Sequence, residues 1–89
     1  MRNKKNYNIL IVDDEKEYSK VVSMVLEDAG YSTETCYNGE EAIEYVRNNE
    51  VSLIITDLRM PKMNGEELIL KINKIKLYKL SNYNINMKN

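Results

Sequence analysis

Three acidic side chains stand where short apolar runs stop. Val51-Ser52-Leu53-Ile54-Ile55-Thr56 ends in Asp57, and Ile9-Leu10-Ile11-Val12 ends in Asp13-Asp14. Each run has the length and β-branched content of a strand buried on both faces of a parallel sheet. In open α/β folds, chemistry gathers beyond the carboxyl ends of such strands. Two of them side by side would bring Asp13, Asp14 and Asp57 to one sheet edge. Carboxylates that close repel one another, so the arrangement is costly unless a cation lies among them. Mg2+ takes hard oxygen ligands of this kind. The pattern therefore points to a cation-binding carboxylate cluster.

Composition narrows the rest. A chain of 89 residues allows one small domain, near the low end for a core that stands alone. The net charge of -1 hides an asymmetry. All fourteen acidic residues lie between Asp13 and Glu67, whereas the segment from Lys71 onward carries five lysines and no acid. Cys36 is the only cysteine and there is no histidine. An intrachain disulfide and a Cys/His zinc site are both ruled out. The basic start is followed by Asp13 and not by a long apolar stretch, so no secretory signal is expected. No apolar run reaches membrane-spanning length. A cytoplasmic setting is expected.

The elements that must position the acids can be read in order. Tyr7 to Val12 reads as a first strand. Asp14 to Ala29 reads as a helix, with Tyr18, Val21, Val22, Val25, Leu26 and Ala29 as a core-facing stripe, Asp14 as its cap and Gly30 as its stop. Glu15 suits the positive end of that helix dipole. Tyr31 to Cys36 reads as a strand, with Tyr31, Thr33 and Thr35 on one face. Asn38 caps a second helix, with Glu41 three residues on, and Asn64 caps a third, with Glu67 three residues on. Three helices are thus expected to open on the same Asp/Asn-x-x-Glu pattern. Beyond about Leu70 the local signals stop agreeing. Leu77, Leu80 and Tyr83 could prolong the third helix, but the stretch is otherwise Lys- and Asn-rich. It is expected to be the product of a shifted frame or a gene remnant, with a real basic terminal helix as the alternative. An intact reading frame across the codons near Lys71, with no downstream match in another frame, would end the first expectation.

Several of these stretches together resemble a bacterial two-component response-regulator receiver domain. They are Ile11-Val12-Asp13-Asp14-Glu15, Gly30-Tyr31, Asn38-Gly39-Glu40-Glu41-Ala42, Thr56-Asp57-Leu58-Arg59-Met60-Pro61 and Met63-Asn64-Gly65, in the family's order and spacing. The resemblance implies a flavodoxin-like (CheY-like) α/β fold, a parallel sheet with helices on both faces and strand order 2-1-3-4-5. It implies Asp57 as phosphoacceptor, taking a phosphoryl group from a sensor histidine kinase or phosphotransfer protein. It also implies Mg2+ held by Asp13, Asp14, Asp57 and the backbone carbonyl of Arg59. Asp14 would be the direct ligand of the acidic pair, and Asp13 would act more through water. Pro61 and Gly65 would shape the loop beside the acceptor. The Arg59 side chain is assigned no role, and Cys36 is expected to be inert.

The chain also departs from that pattern. It supplies three of five βα units, so residues 7–72 are expected to form a partial receiver domain and residues 73–89 an atypical basic tail. No strand ending in Ser or Thr, and none ending in Lys, follows the third helix. The third strand is therefore expected at an exposed edge, open to self-association. The expected function is phosphorelay reception impaired by truncation, by a protein that is not itself an enzyme. The alternatives are a non-catalytic interaction module docking through the first helix, or an inactive remnant of a DNA-binding response regulator. A hydrolase using Asp57 as nucleophile would need an Asp-x-Asp pattern after the apolar strand, and none is there. No helix-turn-helix pair follows, so neither specific nucleic-acid binding nor membrane insertion is expected of the chain.

Overall fold

The computed structural model describes residues 7–83, with side chains through Ile75. The elements are β1 (Asn8–Val12), α1 (Lys16–Asp28), β2 (Ser32–Cys36), α2 (Gly39–Asn48), β3 (Leu53–Thr56) and α3 (Gly65–Tyr83). The sheet is parallel, in the order β2-β1-β3. Ile9 pairs with Thr33 on one side and with Leu53 on the other, and Val12 pairs with Cys36 and Thr56. All the strands therefore end level, as a site built from strand tips requires. The truncated flavodoxin-like α/β architecture expected from the sequence is present.

Alternation along β1 divides the burial between two faces. Leu10 and Val12 join Cys36, Ala42, Val46, Met60, Leu68 and Ile72 in one cluster, which α2 and α3 cover. Ile9 and Ile11 are buried on the opposite face, the side on which α1 packs. Among the described strands, β1 alone is buried along nearly its whole length, because it alone has a strand neighbour on each side.

β3 is different. Leu53 is 53% and Ile55 39% exposed, so the expectation of a third strand buried on both faces does not hold. Among the described residues β3 pairs only with β1, which makes it an edge strand there, as expected from the sequence. The stripe on α1 also falls short of the expected core role. Val22 and Leu26 are half-buried, but Tyr18, Val21 and Val25 are exposed. Fully enclosed instead is Ser19, whose hydroxyl donates to the Lys16 carbonyl at 3.0 Å.

Helix ends follow local chemistry, with one correction. The Asn38 Oδ1 accepts the Glu41 N–H at 2.8 Å, and Asn64 Oδ1 accepts the Glu67 N–H at 2.9 Å. Glu67 returns the favour to the Asn64 N–H, whereas Glu41 reaches one residue further back, to the N–H of Tyr37. The first helix does not share this box. Its N-cap is Glu15, with no side-chain cap bond, and Asp14 does not cap it. The side chain that turns the chain there is Asp13, whose Oδ1 accepts the Glu15 N–H at 2.9 Å. At the other end Gly30 has a φ of 103° and donates to Glu27, while Tyr31 donates to Leu26. That paired return is a Schellman motif, and only glycine adopts its left-handed residue without strain.

α3 runs on from Ile72 to Tyr83, so the helix crosses the expected boundary between domain and tail without a break. The side chains of Leu77, Leu80 and Ser81, and residues 84–89, lie outside the described residues, as do Met1 to Asn6.

Replacing Asn64 with alanine should cost about 1 kcal/mol, as the loss of a side-chain N-cap generally does. Urea melts of the variant beside the parent chain measure it.

Candidate functional site

Two backbone bonds fix the acids in place. The Asp13 N–H donates to the Cys36 carbonyl at 3.1 Å, and the Asp57 N–H donates to the Val12 carbonyl at 3.0 Å. Each acidic residue is thereby the first past a strand yet still tied to the neighbouring one. Asp13, Asp14 and Asp57 each offer a carboxylate oxygen, and these oxygens all lie within 4.8 Å of one another. Asp13 is buried and Asp14 exposed. The convergence expected from the two apolar runs is thus present.

The turn after Asp57 is built tightly around it. The Arg59 N–H donates to Asp57 Oδ1 at 3.3 Å, and the Thr56 hydroxyl donates to the Asp57 carbonyl at 3.0 Å. The Gly65 N–H closes onto the Leu58 carbonyl at 3.0 Å. A Cβ on Gly65 would stand 2.5 Å from the Asp57 carbonyl oxygen and 3.0 Å from the Leu58 Cα. Both obstacles are backbone, so neither can swing aside. Between them, Met63 donates to the Pro61 carbonyl at 2.7 Å across Lys62, whose φ is 70°. An i to i+2 bond with a positive central φ is a strained γ-turn. Gly39 faces the same loop, with the Met63 sulfur 2.6 Å from where its Cβ would be. In the sequence, Gly39 and Met63 stand only within two of the stretches that carry the family resemblance. No periodicity signals that these two residues meet, because they lie on separate loops.

Arg59 also lines an open groove between α1 and β3, with Asp13 and Asp57 at its polar end and Tyr18, Val22, Ile55 and Leu58 along its apolar walls. Cys36 lies on the other side of the sheet. Burial, followed by the nearby Glu41 and Glu34 carboxylates, pushes its thiol up to about 11. At neutral pH it is a protonated, enclosed thiol, as expected of an inert cysteine.

The acidic cluster fits a divalent cation on chemical grounds. All its donors are carboxylate oxygens on rigid strand ends, close enough to share one hard ion. The description "Response regulator receiver domain" matches residues 9–86, and the chain belongs to that family. It is 40% identical over 73 residues to the probable transcriptional regulator ycf27 of Cyanidium caldarium, covering 82% of this chain and 29% of the relative. It is 39% identical over 67 residues to the CpxR homologue of Haemophilus influenzae, covering 75% of this chain and again 29% of the relative. Among solved structures, the chemotaxis protein CheY4 of Vibrio cholerae superposes with a TM-score of 0.77 at 36% identity, covering 82% of this chain and 61% of that one. The response regulator TrrA of Thermotoga maritima, in complex with Mg2+ and BeF, gives 0.76 at 35% identity, covering 80% of this chain and 62% of that one. The chain therefore spans under a third of these curated relatives and about three-fifths of these two solved structures. Asp13, Asp14 and Asp57 match the phosphoacceptor and Mg2+ site of receiver domains.

Replacing Gly65 with alanine should displace the Asp57 turn and lower stability, whereas the exposed Glu66 changed to alanine should do neither; urea melts separate them. The Cys36 thiol sets a second expectation. Its pKa is raised in the folded state, so it contributes no pH dependence while both states are protonated. Stability should then fall as pH rises from about 9 to about 11, by at most about 3 kcal/mol. Cys36→Ala should flatten that part of the decline in urea melts at successive pH values.

Proposed function

We propose that the chain is a phosphoacceptor of a two-component phosphorelay, with Asp57 as the residue modified. The observation that carries this is the meeting of Asp13, Asp14 and Asp57 oxygens within 4.8 Å at the strand tips. A carboxylate oxygen of Asp57 attacks the phosphorus of a phosphohistidine on a sensor histidine kinase or phosphotransfer protein. The P–N bond breaks, its electron pair returns to the imidazole, and an acyl phosphate forms on Asp57. Bound Mg2+ would offset the negative charge that otherwise repels nucleophile from donor.

This chain's residues supply placement. Asp13 and Asp14 would hold the ion, the Arg59 carbonyl would add a backbone ligand, and the Arg59 N–H steadies one Asp57 oxygen. Pro61 and Gly65 shape the turn beneath the acceptor. The Mg2+ and BeF bound to the Thermotoga relative support this assignment. We read the chain as a stoichiometric acceptor and not an enzyme, acting in the cytoplasm. Among the described residues no helix is long and apolar enough to cross a membrane.

A second reading is favoured by one observation: α1 exposes Tyr18, Val21 and Val25 along one side. Through that side the domain would dock on a kinase without accepting phosphate. Self-association through β3 belongs to either reading.

Incubation with acetyl phosphate and Mg2+, followed by mass spectrometry, should place one phosphoryl group on Asp57. Asp57→Asn or removal of the metal with EDTA should abolish it. An unlabelled, folded chain would end the acceptor reading, and kinase capture that survives Asp57→Ala would then favour the docking one.

A further inference from the structure

We propose that β3 is a two-fold pairing edge on which a second copy of this chain docks in antiparallel register, Leu53 of one copy beside Ile55 of the other. The proposal rests on the self-association reading and is independent of phosphoryl transfer.

Backbone direction comes first. Val12 pairs with Thr56, and the Asp57 N–H donates inward to the Val12 carbonyl at 3.0 Å. Alternation then turns the N–H and carbonyl groups of Leu53 and Ile55 toward β1 and those of Ile54 away from it. Such an edge is completed by another extended strand. From Val51 to Thr56 the segment has no charge and no proline, the usual devices that blunt an edge. Its side chains on the α1 side, Leu53 and Ile55, are both exposed.

A second β3 meets these demands. When Ile54 lies opposite Ile54 on the two-fold axis, the two Ile54 residues exchange both backbone bonds, and each Leu53 stands directly opposite Ile55 of the other copy. The four exposed side chains then form one apolar row, and no like charges meet along the ladder. A shift of one residue in either direction leaves outward N–H groups opposite inward ones. The contact is small. Stable interfaces bury roughly 800 Å² per partner, and a four-residue edge offers less, so dimers should form with a dissociation constant of roughly 0.1–1 mM.

Sedimentation equilibrium on the 89-residue chain tests the proposal, with circular dichroism confirming that each variant is folded. Both substituted positions are exposed. The parent chain should dimerise as its concentration rises. Leu53→Lys with Ile55→Lys should remain monomeric, because the introduced cations face one another across the axis. Leu53→Lys with Ile55→Glu should dimerise again, because this register places each introduced lysine opposite an introduced glutamate. A parent chain that stays monomeric up to about 1 mM overturns both the proposal and self-association. A dimer indifferent to the double-lysine change overturns the β3 geometry while self-association stands. Failure of the lysine–glutamate variant to recover overturns the register.

Discussion

Everything chemical in this molecule depends on the parallel pairing of β1 with β3. Val12 and Thr56 are partners in that ladder, and the residues that follow them are Asp13 and Asp57. Without the pairing, these are two unrelated carboxylates in distant parts of the chain. With it, they and Asp14 converge, and the repulsion among them becomes an affinity for a cation. Backbone hydrogen bonds hold them there: Asp13 to the β2 tip and Asp57 to the β1 tip. The burial of Leu10, Val12, Leu68 and Ile72 is what keeps those bonds from being lost to water.

The turn after β3 shows how little freedom the acceptor is given. Its peptide units are packed against Gly65 so closely that a methyl group could not be accommodated, and a γ-turn at Lys62 is tolerated to bring Met63 against Gly39. Strain of this type persists where surrounding structure over-determines the backbone. Here the determinants are the Asn64 cap of α3 on one side and the end of the ladder on the other. The glycines at 39 and 65 are thus demanded by proximity and not by flexibility.

Much of this was legible beforehand. The apolar runs ending in acid located the site, and the Asn-x-x-Glu boxes located two of the helix starts. The Asp14 box misled because the same residues served another purpose. Asp13 turned back to bind the Glu15 amide, and Asp14 was left at the site mouth. The α1 stripe and the β3 run misled for a shared reason. Pattern reports which side chains would favour burial, but burial needs an opposing surface, and among the described residues Tyr18, Val25, Leu53 and Ile55 have little of one. The Gly39–Met63 contact left no trace in the sequence, since it joins two irregular loops with no repeat to betray them.

The order of the strands has one more effect. Because the acids are brought together only by long-range pairing, an unfolded chain presents no preformed cluster to an ion. Any ligand for the cluster therefore binds the native state preferentially and raises its population by mass action, through the logarithm of ligand concentration over its dissociation constant. For a domain this small, cation occupancy and cooperative folding are two readings of one equilibrium: tightening either tightens the other.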